Sequence, residues 1–447
     1  MITILHQILG AAAGAAEVPD AGRYILSAFS DLTVILAAAL IAERLANFLK
    51  VPDVILFLLA GVILSPTAPF WIPIRESSIA NQLVVTFGAS YILFQGGMGL
   101  NLKTIIRYGR VIALLAIPGV IISAVLVGIA GRLIFPALPL AAALLLGVIL
   151  SPTDPATLIP ILQKVRLKER LEVVIESESA FNDTTGAILF ISVVAFIQQG
   201  QVSLFAAIGG FLTQLLVGCG VGAGLGLLAG LLISERAVGF FRSSADILTV
   251  PIAIGAYTLS QYLGGSGFLA AFLAGVFIRN THEILPRKIG HEEGAHLEIF
   301  SGNLALISRM MIFVILGSQI DFLAVRQYLL PGLILLAAFI LISRPAVVFS
   351  CFGLDRKNRW TGKEKIFLSW VRETGVMPAA LAGSLATINL GFPGQMQMIY
   401  DDFVQAMVFM AILVTLLVQA LSTPWLARRL DLIRGEGEET VSSERNN

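Results

Sequence analysis

The sequence predicts an all-α polytopic membrane protein of about thirteen spans, and three observations carry that expectation. Of 447 residues, 57% are hydrophobic and only 13% are charged, whereas a soluble domain devotes roughly 25% to charge. Apolar runs long enough to cross a bilayer follow one another almost without pause. The basic residues then fall on alternate loops. With 30 Lys and Arg against 29 Asp and Glu the net charge is +1, a balance that offers nothing to nucleic acid and makes a lipid bilayer the implied solvent.

The thirteen apolar cores cover 26–48, 53–65, 79–98, 109–134, 138–162, 170–198, 203–233, 246–263, 265–279, 297–320, 327–352, 364–389 and 401–427. Residues 1–25 form a leader. Its first sixteen positions hold no Lys or Arg, so they lack the positive region of a cleaved signal and read as uncleaved. Residues 26–435 make one transmembrane unit, and 436–447 are a polar tail, solvated by composition. Span seven carries Gly218, Gly222, Gly226 and Gly230, a spacing that lets two helix backbones approach closely; packing inside the chain is preferred over a dimer contact. Cys219 and Cys351 stand alone in apolar stretches and support neither a disulfide framework nor a metal site. No cofactor is expected.

Assigning alternate loops to one side collects 23 of the 30 basic residues, among them Lys103, Arg107, Lys164, Arg170, Lys357, Arg359, Arg428 and Arg429, while Arg23, Arg75, Arg132 and Arg326 fall on the other. Basic loops stay cytoplasmic. The N-terminus is therefore expected outside and the C-terminus inside a cell's cytoplasmic membrane. The remaining three, Arg309, Arg344 and Arg372, lie within spans.

A charge inside a span costs from ~2.5 to more than ~10 kcal/mol, so each needs a reason. Span five reads Ser151-Pro152-Thr153-Asp154-Pro155. Two prolines three apart remove backbone donors and predict a helix break at Thr153-Asp154, leaving carbonyl oxygens that suit a small cation. A simple proline kink capped by Asp154 is the competing reading. Span six adds Glu176, Glu178, Ser179, Asn182 and Asp183. On a helix Ser179 lies over Asp183 and Glu178 over Asn182, so a hydroxyl and a carboxylate aim at one point. That pairing suits a hard cation, whose shell the broken backbone of span five is placed to complete.

Desolvation disfavours a bare carboxylate, so proton and cation compete for Asp183. A site that holds one or the other, exposed to each side in turn, is an antiporter. Asn182 cannot carry a second proton, which predicts electroneutral one-for-one exchange. Arg344 in span eleven needs a counter-charge, for which Glu178 is the partner of choice, since Asp183 must stay available; snorkelling to the interface is the bland alternative. Span twelve, Trp370-Val371-Arg372-Glu373-Thr374-Gly375-Val376-Met377-Pro378, is a second interrupted helix. Two such helices, one in each half, point to inverted repeats with the site at their crossing. Arg372 either pairs with Glu373 or offsets the negative ends of the broken helices.

Through these motifs the chain resembles the monovalent cation–proton antiporter superfamily, in particular its NhaP-like sodium/proton branch. The residues that carry the likeness are Ser151-Pro152-Thr153-Asp154-Pro155, Glu178-Ser179-Ala180-Phe181-Asn182-Asp183 and Ser343-Arg344-Pro345. The resemblance implies the NhaA/NhaP-like fold. It also implies a six-helix ion-transporting bundle, here including spans near 79–198 and 327–389, that moves against a dimerisation domain in a homodimer. It implies that Asp183 binds ion and proton, that Thr153, Asp154 and Ser179 contribute to the site, that Asn182 holds the unwound chain, and that Glu178 and Arg344 brace the bundle. Two departures stand out. Relatives often carry an acid at the end of span three, where this chain has Phe94-Gln95-Gly96-Gly97, so Gln95 bears on Na⁺ against Li⁺ or K⁺. Relatives also place an Arg directly before a Gly in span twelve, whereas Arg372 precedes Gly375 by three.

Two rivals are weaker. A channel would not need a single buried acid that competes for protons. An intramembrane aspartyl protease needs two carboxylates sharing one proton, and the Ser and Asn around Asp183 suit a cation better. The chain is read as a transporter and not an enzyme.

Overall fold

The computed structural model describes residues 20–49, 53–65, 79–153, 165–199, 204–234, 240–284, 291–320, 322–355, 357–385, 388–392 and 394–433. The leader as far as residue 19, the tail beyond 433, and Asp154 lie outside them. The described residues are helical, apart from turns and one isolated antiparallel bridge between Leu167 and Ile433.

The helices are α1 (Asp20–Leu49), α2 (Asp53–Ile63), α3 (Ile79–Met98), α4 (Leu102–Leu114), α5 (Val120–Ile134), α6 (Leu140–Leu150), α7 (Glu169–Gln199), α8 (Leu204–Ile233), α9 (Ala245–Tyr262), α10 (Gly267–Arg279), α11 (His291–Ser318), α12 (Phe322–Ala338), α13 (Arg344–Leu354), α14 (Gly362–Trp370), α15 (Val376–Leu385), α16 (Gly394–Val414) and α17 (Leu421–Arg429). Wide π turns at Leu115–Gly119, Phe339–Ser343 and Thr415–Ala420 join α4 to α5, α12 to α13 and α16 to α17. Among the described residues seven runs are long and apolar enough to cross a membrane, and five further apolar helices are shorter. All thirteen expected apolar cores overlap a helix.

Proline chemistry explains the interruptions. Pro118 sits inside the first π turn, and Pro345 follows the second at the start of α13; each lacks the amide that would continue the ladder. The break in span five comes earlier than expected, because α6 ends at Leu150 and Ser151–Thr153 are already non-helical. Pro152 has no amide for the Val148 carbonyl, which instead accepts from Ser151 N at 3.2 Å. Span twelve ends α14 at Trp370, is non-helical through Val371–Gly375 and resumes at Val376. Pro378 belongs to the first turn of the new helix, where proline is tolerated, so the interruption stops before it.

The helices pack in two groups. One contains α4–α7 and α12–α17; the other contains α1–α3 and α8–α11. By packing, α3 (79–98) sides with the second group and α16–α17 with the first. The glycine ladder of α8 faces α10: a Cβ at Gly222 or Gly226 would lie 2.5 or 2.6 Å from the Ala270 or Ala274 carbonyl oxygen. The ladder is spent on close approach inside the chain. Cys219 and Cys351 are free thiols.

Candidate functional site: a buried carboxylate between two broken helices

Helix α7 packs within the first group and also touches α8, α10 and α3 of the second. Its polar residues Glu178, Ser179, Asn182 and Asp183 are all buried. They sit there because the helix is anchored at both ends by apolar positions such as Leu171, Val174 and Phe190, which keep its middle inside the protein.

The non-helical end of span five lies against this stripe. The Thr153 hydroxyl and the Ser179 hydroxyl are 2.7 Å apart, and Ser179 Oγ is equally close to the Thr153 carbonyl oxygen. Asn182 Nδ2 donates to Thr153 Oγ1 at 2.7 Å, and Thr153 N approaches Asn182 Oδ1 at 3.4 Å. Two side chains of α7 thus hold one unwound residue. Thr153 and Asp183 together line a cavity of about 60 Å³, room for a few waters, whose other walls come from Val85, Thr86 and Ala89 of α3 and from Met377 and Ala380 of α15. A hard cation with part of its water shell fits such a space, with hydroxyl, carbonyl and carboxylate oxygens as ligands.

Beside it, Arg344 forms a two-pronged ion pair with Glu178, at 2.5 Å from Nη1 to Oε1 and 2.9 Å from Nη2 to Oε2. Arg344 Nε also donates to the Leu368 carbonyl at 3.1 Å. The parallel fork geometry makes this a strong, direction-specific contact, and it ties α13 and α14 to α7.

Arg372 reaches across to span five. Its guanidinium donates to Ser123 Oγ at 2.9 Å, lies 3.5 Å from the Leu150 carbonyl, and donates to the Ser151 carbonyl; it also stacks over the Phe339 ring at 4.3 Å. The reason is readable backwards in the sequence. In a continuous helix the Ser151 carbonyl would accept from the amide of residue 155, and Pro155 has none. Of the two sequence alternatives, the described contacts direct Arg372 to the negative end of a broken helix. A second cavity of about 10 Å³ lies between Ser123, Ser151, Glu178, Asn182, Arg344 and Arg372, about the space of one water.

Glu373 is buried beside Arg372. Gln95, half-buried on α3, is not among the residues lining the main cavity. Several polar participants escaped sequence reading. Ser123 and Ser343 share a hydrogen bond of 3.0 Å between spans four and eleven. Thr415 and Gln419 are buried in span thirteen and bond to span twelve. A polar pair at i and i+4 inside an apolar run was the available signal for the last two, the same signal that singled out Ser179 and Asp183.

The family model described as "Sodium/hydrogen exchanger, transmembrane" matches residues 33–429. Among curated proteins the chain is similar to a probable Na⁺/H⁺ antiporter 2 of Methanocaldococcus jannaschii, 30% identical over 372 residues that cover 81% of this chain and 85% of that protein. It is similar to the Na⁺/H⁺ antiporter ApNhaP of Aphanothece halophytica, 28% identical across 92% of this chain and 76% of the relative. It is also similar to the K⁺/H⁺ antiporter NhaP of Alkalimonas amylolytica, 29% identical, of whose length the match spans 58%. In fold it resembles the solved sodium proton antiporter MjNhaP1 of Methanocaldococcus jannaschii, with a TM-score of 0.72 at 24% identity, covering 91% of this chain and 99% of that one.

Proposed function

The chain belongs to the sodium/hydrogen exchanger family, and from that premise we propose that it exchanges Na⁺ or Li⁺ for H⁺ across a cell's cytoplasmic membrane, one for one and without net charge movement. The observation that carries the reading is Asp183: a buried carboxylate at the seam of two helix groups, facing the same cavity as an unwound Thr153 held by Ser179 and Asn182. In the proposed cycle Asp183 holds either a cation or a proton. Thr153 and Ser179 supply neutral oxygens, and Asp154 completes the shell. Asn182 keeps Thr153 in place and adds no second titrating acid, which underlies the one-for-one count.

The thirteen spans, their inverted repeats, the homodimer, and the division into a moving bundle and a dimerisation domain belong to the same proposal. So does an N-terminus outside and a C-terminus inside. In this orientation the cavity extends from Asp183 toward Val85 and Thr86, in the half of α3 remote from the basic Lys103 and Arg107, which supports access from outside.

K⁺/H⁺ exchange is the second reading, favoured by the name of the Alkalimonas amylolytica relative and by a glutamine at position 95 where an acid is common. The deciding experiment measures proton flux in liposomes with Na⁺, Li⁺ and K⁺ in turn, for the wild-type protein and Asp183→Asn. Flux driven by Na⁺ or Li⁺ without a membrane potential, absent in the variant, is the expected result. No cation-dependent proton movement by the wild type would refute antiport, and a measurable current would refute the stoichiometry.

A further inference from the structure

Each interrupted helix is held by the helix that follows it in the chain. In span five the unwound Thr153 is gripped by Ser179 and Asn182 of α7. In span twelve the grip comes from the end of α16 and its π turn. Gln419 Nε2 donates to the carbonyl of Trp370, the last residue of α14, and Thr415 Oγ1 accepts from the Thr374 amide at 3.3 Å. Trp370 Nε1 adds a bond of 2.7 Å to Ser422 Oγ. The non-helical stretch Val371–Gly375 is therefore tied near both ends to span thirteen. Gln419 and Thr415 are 0% exposed and Thr374 is 1% exposed, so water cannot take over these bonds, and each lost partner would leave a buried group unsatisfied. Both side chains lie in the π turn Thr415–Ala420, and such wide turns are frequently found at functional positions.

What the stretch carries between its two ties is Arg372. Its guanidinium meets the Ser151 carbonyl, two residues before Thr153, whose hydroxyl meets Ser179. A continuous line of contacts thus runs from Gln419 and Thr415 through the backbone of span twelve to Arg372, Ser151, Thr153 and the cavity that Asp183 lines. We infer that Gln419 and Thr415 are positioning residues of the cation site: by clamping the unwound part of span twelve they set the place of Arg372, and through it the geometry of the Thr153 oxygens. This inference rests on the cation-binding role proposed for Thr153 and Asp183.

The test uses the full chain, purified, as wild type, Gln419→Leu, Thr415→Val and Thr415→Ser. Hydrogen–deuterium exchange reads the clamp at residues 371–376, and equilibrium binding of Na⁺ alone reads the site. Gln419→Leu and Thr415→Val are expected to speed exchange in that segment about tenfold, the scale of one buried hydrogen bond, and to weaken Na⁺ binding at least about threefold. Exchange in α1–α3 stays unchanged, which shows that the variants are folded. Thr415→Ser, which keeps the hydroxyl, restores both values. Unchanged exchange at 371–376, or faster exchange with unchanged Na⁺ affinity, overturns the inference. If the variants show these effects while the wild type binds Na⁺ yet moves no protons in liposomes, the clamp is upheld and the exchange reading refuted.

Discussion

Removing one charge of the Glu178–Arg344 pair should cost the protein far more than removing both. The side chains are each 4% exposed and meet through two charge-assisted bonds of 2.5 and 2.9 Å. Each such bond is worth roughly 1.5–3 kcal/mol, or ~3–6 kcal/mol together, which overlaps the ~3–5 kcal/mol typical of breaking a buried pair on one side. Glu178→Gln leaves the guanidinium buried without its counter-charge and should lose about 3–5 kcal/mol, roughly two to four orders of magnitude in the folding equilibrium. Glu178→Gln combined with Arg344→Met removes the orphaned charge. It should lose only about 1–2 kcal/mol, chiefly the Arg344 Nε bond to Leu368 O. Reversible unfolding in mixed micelles, followed by tryptophan fluorescence, measures both variants and the Arg344→Met single variant. The coupling energy then comes from the double-mutant cycle. Glu178→Gln within about 0.5 kcal/mol of wild type, or a double variant that loses the sum of the two singles, would refute the assignment of this pair as a mutually dependent brace.

Arg372→Lys keeps the charge but not the planar fork that serves Ser123, Ser151 and the Phe339 face together; proton flux at saturating Na⁺ should fall about tenfold, the scale of one lost buried bond. Thr153→Val deprives Asn182 Nδ2 of its acceptor and removes one proposed ligand oxygen, so the KM for Na⁺ in liposomes should rise about tenfold, with Thr153→Ser close to wild type. Gly226→Leu drives a side chain into the Ala274 backbone and should destabilise by at least about 1–3 kcal/mol. Gly224→Leu, with no atom within 4 Å of its added Cβ, should change the melting temperature little; equal losses from both would contradict the assigned packing face.

Much of the architecture was legible because it is local. Apolar runs, the two interruptions, the Ser179–Asp183 stripe and the glycine ladder are properties of contiguous residues, and each corresponds to a helix, a break or a packed face in the structure. The start of the span-five break was less legible. A Pro–Thr–Asp–Pro reading centred it on Thr153-Asp154, yet the lost amide of Pro152 already ends α6 at Leu150. The three π turns were not legible as such: Pro118 and Pro345 mark a disturbed ladder at two of them, but a proline does not specify that the helix gains an extra position and continues. Gln419 and Thr415 form a polar i, i+4 pair, but no charge or proline beside them marks what the pair serves until its partners in span twelve are known.

The sequence by itself determined which segments must leave water, where prolines strip the backbone of donors, and which carboxylate is too deep in its span to snorkel to the surface. It also left Ser151 with a carbonyl that Pro155 cannot satisfy. Only the tertiary structure decided that Arg372, 221 residues away, answers that carbonyl, and that Glu178 takes Arg344 from 166 residues away. An unsatisfied group announces its need in the local chain, whereas the donor that meets it is chosen by how distant helices pack.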